Sequence, residues 1–145
     1  MHDLHNGATR YIMKLSSVIR TALDAFVDGT SVTPMEARAL LFISTASNAI
    51  YQKDIEQEYG LSRATVSELM QNMEQKGMIQ RKRDTVDRRR KCIIVSESFQ
   101  PMVNDMIEQM SAVEEKLAFN IREEDLEVFL DVIEHMSKNA PPKQD

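Results

Sequence analysis

The sequence predicts a mainly α protein of about six helices with one small β-hairpin, and three observations carry that expectation. Apolar residues recur at three- and four-residue spacing through six separate stretches. Gly29, Gly60 and Gly77 each follow one such stretch, where a left-handed residue ends a helix at no steric cost. After Gly77 the pattern changes to two short β-compatible runs around a polar turn. At 145 residues the chain suits one domain, or one domain with appendages. Folding at this size buries roughly 70% of the unfolded surface, enough for a true core. With 42% hydrophobic and 28% charged residues, disordered and collagen-like classes are excluded.

The first helix is expected over about Thr9–Asp28, with Tyr11, Ile12, Leu15, Val18, Ile19, Ala22, Leu23 and Phe26 on its apolar side. The second opens at Thr33-Pro34-Met35-Glu36. This is a capping box with proline at the first helical position. Leu40, Leu41 and Ile43 give its buried side. A short third helix is expected over Gln52–Tyr59, stopped by Gly60. A fourth runs from Arg63 to Lys76, capped by Ser62 and stopped by Gly77. Met78–Arg83 and Lys91–Val95 form the hairpin strands around Asp84-Thr85-Val86-Asp87. A fifth helix spans about Phe99–Asn120 through Val103, Met106, Ile107, Met110, Val113 and Leu117. A sixth spans about Glu123–Lys138 through Leu126, Phe129, Leu130, Ile133 and Met136, and Glu123-Glu124-Asp125 suits its N-terminal dipole. The tail, residues 141–145 above all, is expected to be disordered.

Charge is distributed unevenly. The formal net charge of −5 taken alone argues against nucleic acid. Yet Arg81-Lys82-Arg83-Asp84-Thr85-Val86-Asp87-Arg88-Arg89-Arg90-Lys91 holds seven bases and two acids, a net of +5, leaving −10 on the other 134 residues. From Glu97 onward four bases face twelve acids. An anion would dock on the hairpin whatever the overall sum.

Helix, short helix, Gly-x-Ser turn, helix and basic hairpin is the order of a winged helix-turn-helix. The fourth helix fits a DNA-reading role. Val66, Leu69, Met70 and Met73 share one side, and Ala64, Glu68 and Gln71, flanked by Ser67 and Asn72, share the other. Amides can pair with adenine, a carboxylate can accept from cytosine, and an alanine methyl can meet a thymine methyl. At its N-terminus Ser62, Arg63 and Thr65 offer hydroxyls and N–H groups to a phosphate. Arg83, Arg88, Arg89 and Arg90 on the hairpin can follow the backbone or enter a narrow minor groove.

These residues closely resemble the MarR family of winged-helix transcriptional regulators. The resemblance lies in Asp54-Ile55, in Leu61-Ser62-Arg63-Ala64-Thr65-Val66-Ser67-Glu68-Leu69-Met70, in Met73-Glu74-Gln75-Lys76-Gly77-Met78-Ile79, and in Asp87-Arg88-Arg89-Arg90 followed by Ile93-Ile94-Val95-Ser96. It implies a homodimer interlocked through the first, fifth and sixth helices (residues 1–30 and 99–140), with residues 32–98 as the DNA-binding lobe. It also implies a pseudo-palindromic double-stranded operator with half-sites about 10 bp apart. Arg89 would be the minor-groove tip, and Asp87 would hold the wing turn by an ion pair. Repression relieved by a small aromatic or phenolic effector, or by thiol oxidation, is common in such regulators. Five positions depart from the pattern. Tyr51 and Arg122 stand where hydroxyl caps are usual, and Glu56 replaces a small residue inside the turn. Glu68 replaces a base on the recognition helix, and Ser98-Phe99 replace a glycine after the wing.

Plainer readings stand beside these. The basic run could be a solvated hairpin, and the Arg63–Asn72 face ordinary helix surface. Cys92, the sole cysteine, excludes an internal disulfide and fits a reducing cytosol. Its place on a wing strand favours an inert thiol over a redox switch. His2, His5 and His135 form no metal set, so no metal and no cofactor is expected. The ten methionines are either core packing or the lining of a malleable ligand pocket. No nucleophile–base pair, phosphate loop or paired carboxylate suggests an enzyme. No apolar run is long enough for a membrane span, and Met1–Asn6 shows no secretory leader, so a cytoplasmic location is expected. The alternative to a DNA-binding regulator is a winged-helix assembly module built on the acidic C-terminal helices.

Overall fold

The structure, a computed structural model, describes residues 7–140. In order these form α1 (Ala8–Val27), α2 (Pro34–Thr45), α3 (Gln52–Tyr59), α4 (Arg63–Gln75), β1 (Ile79–Arg83), β2 (Lys91–Val95), a 3₁₀ turn (Glu97–Phe99), α5 (Gln100–Leu117) and α6 (Glu123–Asn139). The mainly α winged helix-turn-helix expected from the sequence is present. His2, His5, the start Met1–Asn6 and the tail 141–145 lie outside the described residues. Asn139, expected to begin the disordered tail, is instead the last residue of α6.

Helix ends follow local chemistry. The capping box of α2 is complete: Glu36 N–H donates to Thr33 Oγ1 at 3.2 Å, and Thr33 N–H donates to the Glu36 carboxylate at 2.9 Å. Ser62 Oγ accepts from Thr65 N–H at 3.1 Å to start α4. Gly60, with φ of 55°, takes the left-handed conformation that closes α3. At Tyr51 the missing hydroxyl cap is replaced in part by Asp54, whose carboxylate accepts the Tyr51 N–H at 2.8 Å. Arg122, the other departure, folds onto Asp125 with contacts of 2.8 and 2.9 Å. Where a glycine was usual, Phe99 donates its N–H to Ser96 at 3.0 Å, and its ring packs against the core.

One hydrophobic core gathers Leu23 and Val27 of α1, Leu40 and Ile43 of α2, Ile55 of α3, Val66, Met70 and Met73 of α4, and Val103 and Met106 of α5. The antiparallel wing pairs Ile79 with Val95 and Arg83 with Lys91. A third edge escaped the sequence reading. Ile50 bridges Ile93, whose N–H reaches the Ile50 carbonyl at 2.8 Å. A one-residue strand has no periodicity to detect. The apolar stripe of α6 does not pack within the chain. No α6 side chain is buried, and Phe129 and Leu130 stand exposed, as do Tyr11 and Val18 of α1.

A buried ion pair ties the start of α2 to the end of α4. Lys76 Nζ lies 2.8 and 3.0 Å from the two Glu36 carboxylate oxygens, and it also donates to the Ser31 carbonyl at 3.2 Å. Arg38 and Asp24 join α2 to α1 at 3.1 Å.

Candidate nucleic-acid interface

The two sides of α4 separate as the sequence predicts. Val66, Met70 and Met73 are fully buried, while Ser62, Arg63, Ala64, Thr65, Ser67, Glu68, Gln71 and Asn72 are all exposed. The 3.6-residue period that puts methionines in the core therefore fills the outer face with groups that reach base edges. At the helix start, the cap consumes the Thr65 N–H, and the Ser62 and Thr65 hydroxyls bond each other at 2.8 Å. Among the described residues, the N–H groups of Arg63 and Ala64 are left for a phosphate. Gln52 of α3 braces this end, its amide 3.5 Å from the Arg63 carbonyl and 3.4 Å from the half-buried Glu56 carboxylate. That contact gives the unexpected Glu56 a partner inside the turn motif.

The wing presents Arg83, Arg88, Arg89 and Arg90 together, all exposed. Arg83 faces Lys91 directly across the strands, a like-charge pair that destabilises an isolated hairpin and is relieved by a polyanion. Asp87 shapes the turn, by a different bond from the expected ion pair. Its carboxylate accepts the Arg89 backbone N–H at 3.0 Å, and among the described residues no ion pair involves Asp87. The aspartate side chain is short enough to reach the backbone two residues on, and that local bond competes successfully with a mobile arginine. Asp84 does the same for the Val86 N–H at 2.8 Å. Val86 is thereby held outward, 94% exposed at the tip.

Arg90 differs from its neighbours. Its guanidinium carbon sits 3.7 Å from the centre of the Tyr51 ring, and the Tyr51 hydroxyl donates to the Asp84 carboxylate. This bond to Asp84 is the main cause that raises the phenol's pKa and lowers the carboxyl's. The sequence marked Tyr51 only as a poor cap, because nothing in the linear order places residue 51 beside residues 84 and 90.

Other candidates resolve simply. Cys92 is half-buried, and its thiol donates to the Lys82 carbonyl at 3.4 Å within the wing. Met70, Met73, Met78 and Met106 are fully buried, which supports packing as their role. An open groove of about 970 Å³ runs past Glu74, Arg81, Lys82 and Ser96, and a smaller one of about 330 Å³ past Asn48, Cys92 and Gln100; neither is lined by methionine. No group of His, Cys, Asp and Glu among the described residues could hold a metal ion. No described helix is long and apolar enough to cross a membrane.

Residues 30–90 match the model of the MarR family. By sequence, no curated protein matches the chain. By structure it is similar to MepR of S. aureus in its DNA-binding conformation, at a TM-score of 0.79 and 23% identity over 91% of this chain and 98% of that one. It is similar to CouR of Rhodococcus jostii RHA1 bound to p-coumaroyl-CoA, at 0.78 and 15% identity over 99% and 100%. A Listeria monocytogenes protein described as a MarR family transcriptional regulator, complexed with 26mer DNA, matches at 0.77 and 16% identity over 91% and 87%. At these identities the likeness is one of fold.

Proposed function

With residues 30–90 a MarR-family segment, and the described chain folded as those regulators are, we propose that this MarR-type transcriptional regulator represses by binding a pseudo-palindromic operator as a homodimer. The observation that carries the reading is the sorting of α4: methionines inward, Ala64, Ser67, Glu68, Gln71 and Asn72 outward, beside a +5 wing. Ser62, Arg63 and Thr65 bind phosphate at the helix start. Glu68 and Gln71 read base edges in the major groove. Arg83, Arg88 and Arg89 carry the wing along the backbone, with Arg89 at the minor groove. The family's proteins are non-enzymatic DNA binders, and no step of chemistry is assigned to this chain.

The homodimer is supported by the unpartnered apolar surface of α1 and α6. Phe129 and Leu130 repeat at the spacing that a helical interface needs, and a two-fold contact would bury each of them twice. The acidic helices then lie away from the DNA, and their charge disfavours non-specific approach. A small aromatic or phenolic effector is the releasing ligand this reading carries. Its support is the p-coumaroyl-CoA bound by the structurally similar CouR. The location that goes with operator binding is cytoplasmic.

The test is binding to the DNA upstream of the protein's own gene. Gln71→Ala should relax specificity by about 1–3 kcal/mol at one base pair. Arg89→Ala should weaken binding and reduce the slope of log K against log salt by about 0.9. Unchanged DNA affinity in both variants would refute the reading and favour an assembly module.

A further inference from the structure

We propose that Tyr51 is a positioning residue for operator binding, clamping the wing to the start of α3 through its hydroxyl on Asp84 and its ring under Arg90. The proposal rests on the DNA-binding reading above and assigns Arg90 to the clamp rather than to DNA.

Three observations converge on this segment. First, the Tyr51 backbone is fixed to the helix-turn-helix at both ends: its N–H goes to the Asp54 carboxylate at 2.8 Å, and its carbonyl accepts the Asp54 N–H at 3.0 Å. Second, its side chain crosses to both ends of the wing loop. The hydroxyl donates to Asp84, and the ring carries the Arg90 guanidinium at 3.7 Å. Third, those two residues already close the loop themselves, since Asp84 N–H donates to the Arg90 carbonyl at 3.0 Å. One carboxylate therefore serves two masters, the Tyr51 phenol and the Val86 N–H at the wing tip. Next to it in the chain, Ile50 holds β2 by its backbone bridge to Ile93. Residues 50 and 51 together fasten the wing at its base and at its loop.

The wing has reason to need this. A two-stranded hairpin is marginal by itself, and this one carries a net of +5 with Arg83 opposite Lys91. Repulsion within it favours splayed arrangements in free protein. The clamp spends the one arginine that stacks on Tyr51, together with one aspartate, to hold Arg88 and Arg89 at a set distance from α4. Pre-ordering of this kind raises affinity without adding a contact to the ligand, because less freedom is lost on binding. The phenol's raised pKa keeps it a donor throughout the physiological range.

The test separates positioning from contact by salt dependence. Tyr51→Phe keeps the ring under Arg90 and loses the bond to Asp84. Operator affinity should fall about three- to tenfold, the worth of one side-chain hydrogen bond, with the salt slope unchanged. Asp84→Asn should cost little more in the Tyr51→Phe background than Tyr51→Phe does alone, whereas independent sites would add. Arg90→Ala should also lower affinity at unchanged slope, while Arg89→Ala lowers the slope. Hydrogen exchange on the free protein should quicken at the amides of residues 84–90 in Tyr51→Phe and stay as in wild type within α4. Wild-type affinity in Tyr51→Phe would overturn the proposal. So would a drop of about 0.9 in the salt slope for Arg90→Ala, which would put that arginine on a phosphate. If the wild-type protein binds no duplex specifically, the operator reading fails. The exchange measurement then decides the clamp alone: unchanged wing protection in Tyr51→Phe rejects it.

Discussion

Replacing Lys76 by methionine removes the ammonium from a carboxylate that has almost no water. Glu36 is only 3% exposed, and its oxygens lie 2.8 and 3.0 Å from Lys76 Nζ. The lysine side chain is 41% exposed. The pair is therefore asymmetric, and so are the expected costs. Lys76→Met keeps the aliphatic stem but leaves the buried carboxylate with the Thr33 N–H at 2.9 Å. Breaking a fully buried pair from one side costs about 3–5 kcal/mol. With the ammonium half in solvent the attraction is partly screened, so about 2–3 kcal/mol is expected. Glu36→Gln keeps the shape and an oxygen for the capping box. The ammonium turns to water and to the Ser31 carbonyl, so the cost is about 1 kcal/mol. Urea unfolding at neutral pH reads both, as shifts in midpoint at unchanged slope. Protomer concentration must be held fixed, because association adds stability by mass action. In a thermal scan Lys76→Met should lower Tm by about 4–12 °C at this chain length. If Glu36→Gln costs as much as Lys76→Met, the carboxylate is not the desolvated partner and the reasoning fails.

Two further outcomes follow from the same structure. Leu130, 63% exposed in the isolated chain, should be buried twice in a two-fold dimer; Leu130→Asp should raise the dimer dissociation constant at least about a hundredfold, read by analytical ultracentrifugation, and an intact dimer would remove α6 from the interface. Tyr59, pushed up to about 12 chiefly by burial, donates to the Arg38 carbonyl at 2.8 Å and meets Phe42 edge-on. Its contribution to stability is fully present below the unfolded value of 10 and is lost as pH rises through about 12. Tyrosinate absorbance should show a late-titrating tyrosine that vanishes in Tyr59→Phe, and two identical titration curves would contradict the burial argument.

The sequence by itself determined the elements and the polarity of α4. Thr33 and Glu36, Ser62, and Gly60 act within a few residues, so capping chemistry is visible in the linear order. The inward methionines and outward amides follow from helical period alone. The basic run at 81–91 needed only the placement of charges along the chain. Tertiary structure decided what depends on contacts far apart in sequence. Ile50 joins β2 through one backbone bridge, which leaves no pattern. Glu36 meets Lys76 across forty residues, so a residue legible as a cap is also a buried ion-pair partner. Asp87, expected in an ion pair, bonds its own turn, because a backbone N–H two residues on is closer and already oriented. Tyr51 read as a missing hydroxyl cap, and the fold turned it into the contact between helix-turn-helix and wing. Local bonds cost little chain entropy and can be read from spacing. Long-range ones exist only after the core of α2, α4 and α5 has closed, and that closure is a property of the folded chain.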